Sequence, residues 1–167
     1  MNQQPNQNPS SKGPVIGLLA IVIATPFVAA FEGLSLTTYQ DPIGVPTVCL
    51  GETDRVLTMR DRFTKEECYA ILGASLQKNA TELSKCITAP LKPNEAAAIL
   101  SWGYNVGSDA ACKSTLVTKL NNGFAPGDWC PELRRWVYAG GQKLKGLERR
   151  REKEFEMCVG VRNEVIH

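Results

Sequence analysis

Histidine is almost absent from this chain: the one imidazole belongs to His167, the last of 167 residues. Ser-His-Asp and Cys-His nucleophile systems, H-E-x-x-H zinc sites and most imidazole-based acid/base schemes need a histidine held inside a fold. Hydrolytic chemistry must therefore rest on carboxylates, hydroxyls or water. C-x-x-C pairs are missing too. The six cysteines (Cys49, Cys68, Cys86, Cys112, Cys130, Cys158) stand 18 to 28 positions apart. A tetrahedral zinc site needs close-set thiols, so this spacing favours three disulfides in an oxidising compartment over metal or buried free thiols, with the pairing open. Neither metal nor cofactor is expected. A strong charge is also lacking: +2 at neutral pH is too weak to argue for nucleic acid as a partner, though it suits anionic envelope material.

From Gly13 to Phe31 there are nineteen residues with no charge at all. As a helix they would measure about 28 Å, close to the hydrocarbon core of a bilayer. Gly13, Pro14, Gly17, Thr25, Pro26 and several alanines dilute the segment, so insertion should be weak. Two other readings stand beside a membrane anchor. The segment could be a buried helix of a soluble domain. It could also be a signal peptide, since Val28-Ala29-Ala30 resembles a processing site. Cleavage there would leave Glu32 second in the mature chain, on a frayed terminus. We therefore expect a flexible polar tail at 1–12, an uncleaved transmembrane segment at 13–31 with its N-terminus in the cytoplasm, and one domain at 32–167. The 43% apolar content is enough for that domain to have a real core.

Turn signals at Asp41-Pro42, Ile43-Gly44 and Leu50-Gly51 predict a small β-hairpin region between Leu34 and Arg60. Thr64-Lys65-Glu66-Glu67 has the form of a capping box, followed by a helical apolar face over about 64–86. Pro93-Asn94-Glu95 opens a second helix, apolar almost all round and ended by Gly107, which should be the central buried one. Shorter helices are expected over 113–121 and 131–138, the latter stopped by Gly140-Gly141, and a final one over about 145–158. The fold class is α+β: a small β lobe, a larger helical lobe, and a cleft between them.

Glu32 closes the apolar segment; Asp41 follows nine positions later and Thr47 six beyond that. Two carboxyls suit glycoside hydrolysis, one protonated to donate to the leaving oxygen and one ionised. Desolvation at the end of an apolar helix would favour the protonated form of Glu32, and a solvated turn the ionised form of Asp41. Spacing alone is weak support.

The run Glu32-Gly33-Leu34, Tyr39-Gln40-Asp41 and Gly44-Val45-Pro46-Thr47-Val48-Cys49-Leu50-Gly51 resembles the signature of phage-type lysozymes, the endolysins of glycoside hydrolase family 24. Later blocks, around Ser101 to Gly107, Lys113 to Leu116, Arg134 to Gly141 and Gly146 to Arg151, are similar to the same family. The resemblance implies a lysozyme-like fold and an inverting muramidase. It would cut the β-1,4 bond between N-acetylmuramic acid and N-acetylglucosamine in peptidoglycan and so cause host lysis. Glu32 would be the general acid, with Asp41 and Thr47 holding the attacking water. It also implies glycan contacts at Tyr104, Ser114 and Thr115, and by analogy the pairs Cys49–Cys68, Cys86–Cys112 and Cys130–Cys158. Pro46 and Glu52 depart from the family pattern and bear on fine geometry and pH optimum. An anhydro-forming cleavage is the chemical alternative. A membrane-tethered binder without catalysis and a secreted enzyme with a cleaved signal are the functional ones.

Some members of this family carry a signal-anchor-release segment and stay inactive on the inner membrane until a holin depolarises it. The resemblance thus implies a monomer tethered to the host inner membrane, its catalytic domain in the periplasm, with peptidoglycan strands as its partner and functional dependence on a holin. No cysteine precedes Cys49, so control by thiol exchange from the anchor is excluded. Trp102, Trp129 and Trp136 are candidate sugar platforms or core residues. Asn79-Ala80-Thr81 reads as plain helix surface. The basic run Lys143, Lys145, Arg149, Arg150, Arg151 and Lys153 reads as a solvated helix face, with pairs such as Glu148–Arg151 and Arg149–Glu152, and attraction to anionic phospholipid or peptidoglycan carboxylates is the alternative.

Overall fold

The computed structural model describes residues 15–40, 44–51, 53, 58 and 60–160. Asp41 and Glu52 therefore lie outside the described residues, as do the tail and the first two positions of the apolar segment.

Helix α1 (Leu18–Phe31) is the rest of that segment. It is docked in the domain, packed on α3 (Pro93–Val106) and α2 (Lys65–Leu83). Ala20, Ala24 and Val28 recur every fourth residue and form one buried stripe with Ile21, while Leu18, Leu19 and Val22 face outward. Small residues on that stripe allow close approach to α3. Pro26 has no N–H to donate to the helix ladder, and one residue before it the Thr25 hydroxyl donates to the Ile21 carbonyl at 2.7 Å. Among the described residues no helix is long and apolar enough to cross a membrane.

The chain leaves α1 at Glu32 in extended conformation and enters β1 (Ser35–Gln40), which pairs antiparallel with β2 (Pro46–Cys49). Tyr39 faces Thr47 and Gln40 faces Pro46, with a bulge toward the Ser35–Cys49 end. Pro46 sits at the first position of its strand, where a missing donor is tolerated. On the other side of β1, the Phe63 N–H donates to the Leu36 carbonyl at 2.9 Å. Val48, Cys49, Cys68 and Ile71 form a small separate core under this lobe.

Helix α2 begins with the reciprocal capping box read from the sequence: the Glu67 N–H donates to Thr64 Oγ1 and the Thr64 N–H to Glu67 Oε2. Helix α3 is the centre of the larger lobe, buried continuously from Glu95 to Gly103 and ended at Gly107 (φ 89°). Around it lie α4 (Ser108–Cys112), α5 (Thr115–Asn121), α6 (Pro126–Trp129), a 3-10 turn (Cys130–Arg135) and α7 (Lys145–Val159). Disulfides join Cys49 to Cys68, Cys86 to Cys112 and Cys130 to Cys158.

Two expectations are corrected. The helix expected over 131–138 is the 3-10 turn followed by a hairpin, β3 (Tyr138–Ala139) and β4 (Gln142–Lys143). Gly140 and Gly141 have φ of 56° and 77°, so they form a two-residue hairpin turn and stop no helix. The solvated basic face is correct for Lys143, Lys145, Arg149 and Lys153, which are exposed, and wrong for Arg150 and Arg151, which are buried. The expected pairs are also replaced: Glu148 pairs with Lys143, and Glu152 pairs with Arg134.

Candidate active site

The carboxyl of Glu32 projects from the end of α1 toward the turn that follows β2. That turn is conformationally costly: Cys49 has φ 56°, in the left-handed region that a side chain disfavours, and Gly51 has φ 86°. Cys49 is fully buried and tied to Cys68 at the start of α2, so tertiary structure holds the strained backbone in place. A Cβ on Gly51 would lie 3.9 Å from Glu32 Oε2, so the acid faces a bare stretch of backbone. The loop's side of the site is thereby left open.

Glu32 does not sit in a dry apolar pocket, as the sequence suggested. Its side chain is 27% exposed, and its Oε1 accepts from Arg150 Nη1 at 3.0 Å. The Arg150 guanidinium lies over the Phe31 ring, 5.4 Å from its centre. From behind, Arg150 Nε donates to Glu154 Oε1 at 3.2 Å and Arg150 Nη2 to the Ser101 carbonyl at 3.4 Å. The same Glu154 oxygen accepts from the Ser101 hydroxyl at 2.7 Å. Arg151 Nε is 3.0 Å from Glu154 Oε2, close enough for strong attraction but misaligned for a hydrogen bond; Arg151 Nη2 donates to Asn105 at 2.8 Å. Burial pushes the Glu154 carboxyl up, against the opposing pull of Arg151, Ser101 and Arg150. Burial also lowers the Arg151 guanidinium to about 10, with Glu154 working the other way. The two guanidiniums packed on this one carboxylate oppose the upward push of burial.

Thr47 is buried on β2, and its hydroxyl donates to the Val45 carbonyl at 3.0 Å. Gly51 and Tyr104 line a common cavity of 340 Å³ with Thr53, Ser75, Lys78, Asn79, Glu82 and Ser108. The cavity joins the turn after β2 to α2, α3 and α4, and Gly51 is the residue it shares with the surroundings of Glu32.

The model of the family described as "Phage lysozyme" matches residues 29–154. The chain belongs to the phage lysozyme family. It is 38% identical over 148 residues to a SAR-endolysin of Enterobacteria phage P21, covering 88% of this chain and 89% of that one. Among solved structures it resembles an endolysin from Escherichia coli O157:H7 phage FAHEc1, 27% identical with a TM-score of 0.73 over 86% of this chain and 92% of that one. A mutant of P22 lysozyme is 26% identical, with a TM-score of 0.75 over 86% of this chain and 97% of the other. As a lysozyme the protein is a glycoside hydrolase of α+β architecture.

Within this phage lysozyme the sequence-read residues divide. Tyr104 lines the cavity, Glu32 faces Gly51 at its edge, and Thr47 lies on the strand that leads to Gly51. Ser114 and Thr115 line a separate cavity of 500 Å³ with Trp136, Glu132 and Arg135. The Ser114 hydroxyl caps α5, accepting from the Val117 N–H at 3.1 Å. Trp102 and Trp129 are core residues, and Trp136 meets Trp102 edge-on with ring centres 5.3 Å apart. Sequence reasoning missed Arg150, Glu154, Ser101 and Gly51. A signal existed for Glu154, which stands four positions after Arg150 and three after Arg151 on one helix.

Proposed function

We propose that this lysozyme is an endolysin that hydrolyses the β-1,4 bond between N-acetylmuramic acid and N-acetylglucosamine. Glu32 is the general acid; Asp41 and Thr47 hold the attacking water, and the anomeric centre inverts. The observation that carries the reading is the Glu32 carboxyl clamped by Arg150 and facing the bare backbone of Gly51, which itself lines the cavity shared with Tyr104, in a chain of the phage lysozyme family. A clamped acid suits a reaction whose proton must reach one bridging oxygen.

The same stretch of chain serves control. While residues 13–31 lie in lipid, α1 is missing from the core and Glu32 is held at the membrane surface; once the segment leaves, α1 docks and sets the acid. Support comes from α1 ending one residue before Glu32, from its exposed Leu18, Leu19 and Val22, and from the relatives' name, SAR-endolysin. The enzyme would thus wait at the host inner membrane, catalytic domain in the periplasm, until a holin dissipates the potential.

Chloroform-permeabilised Gram-negative cells treated with purified protein should lose turbidity. The released fragments should carry new reducing N-acetylmuramic acid ends, formed with the α configuration. Fragments ending in 1,6-anhydro sugars would refute hydrolysis, and β ends would refute inversion.

A further inference from the structure

Glu154 has no place in the acid chemistry just described, yet it is the most deeply buried carboxylate around the site, fully shielded from solvent beside Arg151, which is equally shielded. Burying a charge is costly unless it is paired and hydrogen-bonded, so a carboxylate in this position calls for a physical reason. Its Oε1 gathers the Ser101 hydroxyl from α3 and the Arg150 Nε from its own helix, and the opposite edge of that same guanidinium reaches Glu32. One planar cation therefore bridges a buried carboxylate and the acid, although Arg150 and Glu32 stand 118 positions apart in sequence.

We infer that Glu154 is a positioning residue for the reaction: it fixes the Arg150 guanidinium against Glu32 and offsets the charge of the Arg150–Arg151 pair, so that Glu32 can hold the proton it must donate. The inference rests on Glu32 being the general acid. Counted as unit charges, Arg150, Arg151 and Glu154 sum to +1. Without the Glu154 charge they sum to +2, and the extra cation favours the carboxylate over the carboxyl at position 32.

Among other charged groups, Arg149 and Lys153 line a cavity with Arg150 and Phe31, and Lys153 pairs with Glu156. On the 3-10 turn, Arg134 pairs outward with Glu152, while Glu132 takes Lys119 from α5 and Arg135. On the β3–β4 hairpin, Lys143 pairs with Glu148. From α3 the cluster meets Ser101 and Asn105, which carry no charge. Asp41 and Glu52 lie outside the described residues and are common to every variant below.

The test is the pH dependence of kcat/KM for full-length wild type, Glu154→Gln and Arg150→Gln on soluble peptidoglycan fragments, with folding checked by near-UV circular dichroism. A general acid gives a basic limb, where the rate falls as the proton is lost. Glu154→Gln should move that limb about one pH unit lower, roughly a tenfold loss of rate on the basic side. Arg150→Gln, which keeps the Arg151–Glu154 pair and removes the cation from Glu32, should move it higher. The opposite signs are the signature; a merely structural role would lower the rate at every pH and leave the limb in place. An unmoved limb in folded Glu154→Gln overturns the inference. Should that variant not fold, an unmoved or lowered limb in Arg150→Gln overturns it instead. Failure of the catalytic reading itself would look different: wild type would lack hydrolysis altogether, or Glu32→Gln would retain it.

Discussion

Glu32→Gln is expected to lower the clearing rate of permeabilised cells by about 10²- to 10⁴-fold, the range that a positioned proton donor contributes. The amide matches the carboxyl in shape, and its oxygen can still accept from Arg150 Nη1, which now spans 3.0 Å to Glu32 Oε1. Gln cannot supply the proton, however, so the loss should fall on kcat and leave substrate binding near its wild-type value. Stability should change little. The Glu32–Arg150 pair is partly exposed, so its net contribution is modest, and Arg150 keeps its buried partner Glu154. A thermal melt alongside the clearing assay separates a chemical defect from a folding one. Clearing at the wild-type rate would remove Glu32 from the mechanism.

A chain shortened to begin at Phe31, as processing after Ala30 would leave it, is expected neither to fold nor to lyse. Such a chain lacks Ile16, Ala20, Ile21, Ala24 and Val28, each at most 6% exposed in the core. Burying one large aliphatic side chain contributes about 1.5–3 kcal/mol, so Ile16, Ile21 and Val28 together contribute about 5–9 kcal/mol. Whole domains are stable by about 5–15 kcal/mol, which makes that loss comparable to the total. The faces of α2 and α3 now covered by α1 would also be opened to water. Glu32 would lose the tie from its own N–H to the Val28 carbonyl, 3.1 Å long, that sets where α1 ends. Far-UV and near-UV dichroism of the shortened chain would settle the matter. A cooperative melt with lytic activity would favour a secreted, processed enzyme.

Local features were legible in the sequence because one short window held all of their physics. The Thr64–Glu67 box needs four consecutive residues, and the end of α3 at Gly107 needs one glycine after an apolar run. Glu32 and Thr47 were read from one short stretch of sequence, which runs from the end of α1 to β2. Gly140-Gly141 misled because two glycines stop a helix as readily as they make a hairpin turn, and only the pairing of Tyr138 with Lys143 decides between the two. Within the basic run, Arg150 and Arg151 misled for a deeper reason. They look like part of the solvated face that Arg149 and Lys153 do form until α3 brings Ser101 and Asn105 over them, a contact that no local window contains. The role of α1 in the core was half visible: its apolar character came from the missing charges, whereas the Ala20–Ala24–Val28 stripe acquires its meaning from the neighbouring helices.

The central claim is that one segment serves first as a membrane anchor and then as a core helix. It is tested most directly by fractionating induced cells before and after the membrane potential is dissipated with an uncoupler. Intact mass and lytic activity would be recorded for each fraction. The account predicts full-length protein in the membrane pellet without activity beforehand, and full-length, active protein in the soluble periplasmic fraction afterwards. Activity from protein still in the pellet, or a soluble enzyme lacking its first thirty residues, would contradict it.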